Sequence, residues 1–278
     1  ARNLVVCIDG TANQFSEKNT NVVELYSRLI KDDDQQLTYY NSGIGTYARE
    51  TKTFKYWRQA IDHTVDMAIA WNFKKIVLDA YQWLSENYKP GDRIFLFGFS
   101  RGAYQVRVIA AMIEMVGLLH KGNNGQIEFA YELYMATTAL LRRISGLPPA
   151  PRDPEVNQNT SDVNTKAPPL AVLQRDEPDH GRTSKSSKPV KSREGKGKGK
   201  ADPLELSDRF KRTLCRPNVK VHFVGAWDTV SSIGVARGPS LPETTMGMKH
   251  VCVFRHALAL DEVRVKFLPE YANGGAGP

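Results

Sequence analysis

Arg93-Ile94-Phe95-Leu96-Phe97-Gly98-Phe99-Ser100-Arg101-Gly102-Ala103-Tyr104 is the stretch on which the architecture turns. Arg93–Phe99 is short, almost continuously apolar and rich in phenylalanine, the pattern of a strand buried on both faces. A mostly apolar helix over residues 103–119 is predicted to follow at once. Between them lies Gly98-Phe99-Ser100-Arg101-Gly102, a G-x-S-x-G turn. Strand, turn and helix in immediate succession place the serine on a sharp corner with strained dihedrals. The glycines two residues to either side let strand and helix approach with no Cβ between them. Such a corner lifts the serine hydroxyl above the sheet edge, and the helix aims its N-terminal amides at any negative charge developing there.

The flanking sequence supplies the rest of a sheet. Residues 4–8 form an apolar run entering a loop at Asp9-Gly10-Thr11, and residues 37–40 predict a second strand. Asn21, with Glu24 three residues on, is the expected cap of a helix bearing Val22, Leu25, Tyr26, Leu29 and Ile30 on one face. A longer helix with Ile69, Phe73, Ile76, Val77, Ala80 and Leu84 on its buried side is stopped by Lys89-Pro90-Gly91. Helices at 127–141, 204–214 and 257–265 and strands at 219–226 and 251–254 complete the pattern. Strands alternating with helices imply an α/β fold, a mainly parallel sheet with helices on both faces. Ligands of such sheets gather at the carboxyl ends of strands, where Gly10, Ser100 and Asp228 fall.

With 41% hydrophobic and 24% charged residues, the 278-residue chain has the composition of a folded globular protein. Its net charge of +8 is local: eight basic residues against Glu194 alone, over residues 182–200, leave the remainder near neutrality. Residues 145–203 are Pro, Ser, Thr, Asn, Lys and Gly with few large apolar side chains, too little to offset the entropy of ordering. The expected organisation is one domain in two parts, 1–144 and 204–278, interrupted by a disordered polybasic insertion at 145–203. No run of apolar residues is long enough to span a membrane. Cys7, Cys215 and Cys252 have no C-x-x-C spacing and read as buried free thiols. With no leader visible, a cytoplasmic location is expected.

A serine needs a base, and the base an orienting acid. Where the serine sits in a G-x-S-x-G corner the chain order is serine, acid, histidine. Asp228, in Gly225-Ala226-Trp227-Asp228-Thr229, is the order-compatible acid at a strand end, and His256 follows the next strand. The amide of Arg101 is one expected oxyanion donor; Gly10 or Thr11, in the loop after the first strand, supplies the other. Cys7-Ile8-Asp9-Gly10-Thr11 also resembles half of the D-x-D-G-T signature of aspartate-nucleophile phosphatases, but Cys7 stands where their attacking aspartate would be. No histidine or cysteine cluster has metal-ligand spacing, and no cofactor is expected.

Taken together, these segments resemble a known family, the α/β-hydrolase catalytic domain of the type VI secretion phospholipase effectors, with relatives in fungi. The matching residues are Ile8-Asp9-Gly10-Thr11, Asn19-Thr20-Asn21-Val22, Gly43-Ile44-Gly45-Thr46, Pro90-Gly91-Asp92, FGFSRGAYQVR, Val116-Gly117-Leu118-Leu119, Trp227-Asp228-Thr229-Val230 and RHALALDEVR. The resemblance implies serine-dependent hydrolysis of lipid or phospholipid carboxylic esters, and a domain that in relatives continues past Pro278. The competing class is a catalytically incomplete interaction module that docks on anionic membranes through residues 182–200. Nucleic acid is not an expected partner, because the basic tract lacks interleaved aromatic residues.

Overall fold

Alternating side chains along the first strand divide the protein into two cores. Leu4, Val6 and Ile8 face a large apolar layer, while Val5 and Cys7 face a smaller one on the other side. The computed structural model describes residues 1–10, 19–43, 62–146, 202–229 and 249–259. In chain order its strands are β1 (Asn3–Ile8), β2 (Gln36–Asn41), β3 (Arg93–Phe99), β4 (Leu118–Leu119), β5 (Cys215–Arg216), β6 (Val221–Trp227) and β7 (Val253–Ala257). Its helices are α1 (Asn21–Arg28), α2 (Asp62–Asn87), α3 (Arg101–Val116), α4 (Ile127–Ile144) and α5 (Pro203–Leu214).

Five strands pair in parallel in the order β2-β1-β3-β6-β7, so β3 is central. The chain runs outward from β1 to β2, crosses back over β1 to β3, and continues in the opposite direction to β6 and β7. The reversal falls between β1 and β3, and the crevice beyond their carboxyl ends is where such sheets hold ligands. Helices α2 to α5 cover the face of Leu4, Ile94, Leu96, Val221 and Val224; α1 packs on the other through Val22, with Tyr26 and Leu29. Thirteen of the sixteen residues of α3 are buried, which makes it a core helix with no solvent face.

Several boundaries differ from the sequence reading. The cap of α1 is Thr20, whose Oγ1 accepts the Val23 amide at 3.3 Å; Asn21 is the first helical residue. Helix α3 stops at Val116, because Gly117 takes a left-handed φ of 89°. Leu118 and Leu119 then form a two-stranded antiparallel ribbon with Arg216 and Cys215. Ala257 ends a strand and Leu258 and Ala259 are not helical, so no helix begins at 257, and residues 260–265 lie outside the described residues. Cys252 is exposed, unlike Cys7 and Cys215, since it lies in the turn before β7 and not in a packed run. The side chain of Ile69 also lies outside the description.

The described residues belong to a unit of Ala1–Asp153 and Asp202–Pro278; a second unit, Pro154–Ala201, lies outside the described residues, as does the expected insertion apart from its ends at Ser145, Gly146, Asp202 and Pro203. Ser145 and Gly146 close α4, and Asp202 caps α5 by accepting the Leu204 amide at 3.0 Å. Among the described residues no helix is long and apolar enough to cross a membrane.

Two features hold the central strands in register at opposite ends. At the start of the sheet, Asp92 accepts the Lys89 amide at 2.9 Å and the Arg2 guanidinium at 2.7 Å, tying β1 to the turn before β3. Burial pushes the Asp92 carboxyl up, but the bonds from Arg2 and Lys89 outweigh it and hold the group below its ordinary value. At the carboxyl end, a Cβ on Gly102 would lie 2.3 Å from the Ile8 carbonyl oxygen.

Two outcomes follow. Gly102→Ala should cost at least about 3 kcal/mol in urea unfolding, because the obstacle is backbone that cannot move aside. Gly125→Ala, which meets nothing within 4 Å, should stay within about 0.5 kcal/mol. Because the Asp92 carboxyl is depressed in the folded state, the clamp is complete at neutral pH and is lost as pH falls below the ordinary carboxylate range. Asp92→Asn should therefore lose about 2–3 kcal/mol at neutral pH and show a smaller loss than the parent on acidification.

Candidate active site

The corner after β3 is built from three close backbone approaches. A Cβ on Gly98 would fall 2.4 Å from the Gly102 carbonyl oxygen, and one on Gly102 would collide with Ile8 and Asp9. Strand and helix thus meet without side chains between them, and Ser100 is left with φ 55° and ψ −120°, a conformation rare for serine. Its amide donates to the Trp227 carbonyl at 2.8 Å, which extends the β3–β6 pairing by one residue. Its hydroxyl does not cap α3. The Arg101 amide follows at the first position of α3, where no acceptor exists within the helix. The Arg101 guanidinium is half-buried, and burial lowers its pKa.

The loop after β1 stands beside this corner and is organised by Asp9, which is 1% exposed. Its Oδ1 accepts the Gly10 amide at 2.7 Å; its Oδ2 accepts the hydroxyls of Thr20 at 2.9 Å and Tyr40 at 3.1 Å. Asp9 thereby joins β1, the cap of α1 and β2. Gly10 and Asp9 carbonyls in turn press on Gly43, where a Cβ would lie 2.3 Å from the Gly10 oxygen. The Gly10 amide, one expected oxyanion donor, is thus directed at Asp9; Thr11, the other candidate in that loop, lies outside the described residues. Cys7 lies in the smaller core, its thiol pushed up to about 12 by burial and then by the Asp9 charge. That environment makes a poor nucleophile of it.

On the other flank, Asp228 follows β6 with φ 45°. Its amide donates to the Ala257 carbonyl at 2.9 Å and its Oδ1 accepts the Ala259 amide, so it closes the ends of β6 and β7 together. His256 is inside β7, opposite Ala226, and does not follow the strand as the sequence suggested. Its Nε2 accepts the Thr229 amide at 3.1 Å. A nitrogen that accepts carries no hydrogen, so the neutral ring holds its proton on Nδ1. Burial lowers the His256 pKa, Arg107 lowers it further, and Asp228 opposes them.

The structure thus brings Ser100, Arg101 and Gly10 to the crevice between β1 and β3, and Asp228 and His256 to the adjacent ends of β6 and β7. Among the described residues, Ser100 and His256 share no hydrogen bond; the nitrogen that would face the serine is on Thr229. The sequence reading quoted Asp9, Thr229 and Arg107 within its motifs but gave none of them a place in the site. The partners of Asp9 are 11 and 31 residues away along the chain, which no local pattern reveals. Arg107 did leave a signal, as a charge among the apolar residues of α3.

Comparison with known proteins places the chain in a family. Residues 2–276 match the family described as "T6SS, Phospholipase effector Tle1-like, catalytic domain", and the chain belongs to that family. It is also 30% identical, over 274 residues, to an uncharacterized protein of Saccharomyces cerevisiae, YEL023C, covering 96% of this chain. The chain spans 32% of the length of that curated relative. No solved structure matches it.

Asp9 anchors three elements through one carboxylate, so its neighbours should respond in proportion to what they lose. Tyr40→Phe removes one bond to a charged acceptor and should cost about 1.5–3 kcal/mol in urea unfolding. Asp9→Ala strands the Gly10 amide and two hydroxyls and should cost clearly more.

Proposed function

We propose that the protein is a serine-dependent hydrolase of lipid or phospholipid carboxylic esters. The observation that carries this reading is Ser100 in a left-handed backbone conformation, at the first turn of a buried helix and at the reversal point of the sheet. Membership of a phospholipase effector family supports the substrate class.

Ser100 Oγ attacks the ester carbonyl, and His256 Nε2 takes its proton and returns it to the leaving alcohol. Asp228 favours the Nδ1–H tautomer, which is the one that the Thr229 bond already selects. For the transfer, Nε2 exchanges the Thr229 amide for the serine hydroxyl. The Arg101 amide and a donor from the loop of Gly10 and Thr11 hold the oxyanion; a Gly10 role requires its amide to leave Asp9. Residues 182–200, in the proposed insertion at 145–203, bring the enzyme to anionic lipid surfaces, where its substrate resides.

A fluorophosphonate probe followed by peptide mass spectrometry tests the chemistry directly, since it reacts with serines activated by a base. Label is expected on Ser100 and absent from Ser100→Ala, and His256→Ala should lower the labelling rate by about 10³-fold or more. Folded protein that takes no label, both as this chain and in a longer chain extending past Pro278, would remove the catalytic reading and leave an interaction module.

A further inference from the structure

We infer that Arg107 is a positioning residue for this site: a guanidinium sealed beneath β7 that, across the Phe254 ring, keeps His256 oriented and neutral. The inference rests on the reading of His256 as the base.

Arg107 lies two turns beyond Ser100 on α3 and is 0% exposed. Arginine cannot shed its charge to escape burial, so a full positive charge sits in the core. Such a residue is rarely retained for stability, because an apolar side chain of similar size would serve the packing as well or better. Its surroundings indicate what it does. Its Cζ stands 6.0 Å from the centroid of the Phe254 ring, within reach of a cation–π contact. The Phe254 ring meets the His256 ring edge-on, centroid to centroid 6.1 Å at 63°. Residues two apart on a strand share a face, so Phe254 and His256 both stand on the side covered by α3. The three groups form one packed column from the core helix to the imidazole.

The column has a chemical consequence. Charged and titratable groups bear on His256 from two packed elements: Asp228 from the end of β6 and Arg107 from α3. Arg255, its neighbour on β7, is turned to its own backbone, donating to the Phe254 carbonyl. Asp228 alone would favour the imidazolium, which cannot accept a proton from serine. Burial and then Arg107 oppose that, and the balance lies below the ordinary histidine value. The Thr229 amide on Nε2 acts in the same direction, since it bonds to the unprotonated nitrogen. A base held neutral in this way is ready at lower pH than Asp228 by itself would permit.

The test follows the His256 ring by NMR across pH in the parent, Arg107→Met and Arg107→Lys, and measures the pH dependence of fluorophosphonate labelling of Ser100 in the same proteins. In Arg107→Met, both the His256 titration and the acid limb of labelling should move up by about one pH unit, and Arg107→Lys should restore most of the shift. In the parent, His256 should titrate below the ordinary value and change little between low and high salt, because a buried charge is poorly screened. A folded Arg107→Met with lowered stability and an unmoved titration would overturn the proposal and leave Arg107 a packing residue. Should Arg107→Met not fold, a parent titration at or above the ordinary value still overturns the proposal. Failure of Ser100 to label in the parent would instead count against the hydrolase reading, while the NMR titration still judges Arg107.

Discussion

Everything at the carboxyl edge of this sheet depends on the contact of bare backbone between β3, α3 and β1. Gly98 meets Gly102, and Gly102 meets the carbonyls of Ile8 and Asp9, at separations that leave no room for a single Cβ. The contact fixes where α3 begins, and with it the direction of the helix amides and the position of Ser100. A serine at φ 55° and ψ −120° costs about 1–3 kcal/mol relative to an ordinary conformation. The burial of nearly the whole of α3 offsets that cost several times over. The strain persists because relaxing it would lift a core helix off the sheet.

Two buried charges flank this corner, Asp9 in the loop after β1 and Arg107 on α3. They have different physical characters. Asp9 is satisfied by an amide and two hydroxyls, and its charge is felt by neighbours: it contributes to raising the thiol of Cys7 and the phenol of Tyr40 above their ordinary values. It acts as a rivet, converting three separate chain ends into one loop platform. Arg107 faces an aromatic ring and, past it, an imidazole. Asp9 holds the loop beside Ser100, and Arg107, on the reading of His256 proposed above, holds that ring in its neutral state.

How much of this could be read from the chain depended on whether the cause was local. The β3–α3 corner was legible because strand, glycines, serine and helix are contiguous, and the bounds of Arg93–Phe99 agree to the residue. The parallel sheet followed from alternation alone. What escaped was set by long-range contact. Thr20 rather than Asn21 caps α1, because Asp9 also bonds the Thr20 hydroxyl and fixes its place. The end of α3 was misjudged because residues 118–119 are apolar enough to continue a helix, yet they pair with β5, nearly a hundred residues later. The bounds of β7 were set too early, by two residues at its start and three at its end, for a similar reason. Its limits are drawn by Asp228, whose amide and carboxylate grip Ala257 and Ala259.

Backbone strain provides a view of the site that is independent of any motif. Among the described residues, three that are not glycine adopt positive φ: Ser100, Asn218 and Asp228. Asn218 lies in the turn between β5 and β6, and asparagine tolerates that region through its short polar side chain. Aspartate shares that tolerance but serine does not, and Asp228 and Ser100 stand at the ends of two adjacent parallel strands. Both are held there by pairing carried one step past the strand, Ser100 to Trp227 and Asp228 to Ala257. The same two hydrogen bonds therefore bend the chain at neighbouring points and gather Ser100, Asp228 and the strand of His256 along one edge. Strain of this kind collects where side chains must be aimed and not merely packed. That the serine bearing this strain is the one in the G-x-S-x-G corner supports the proposed reading of this edge.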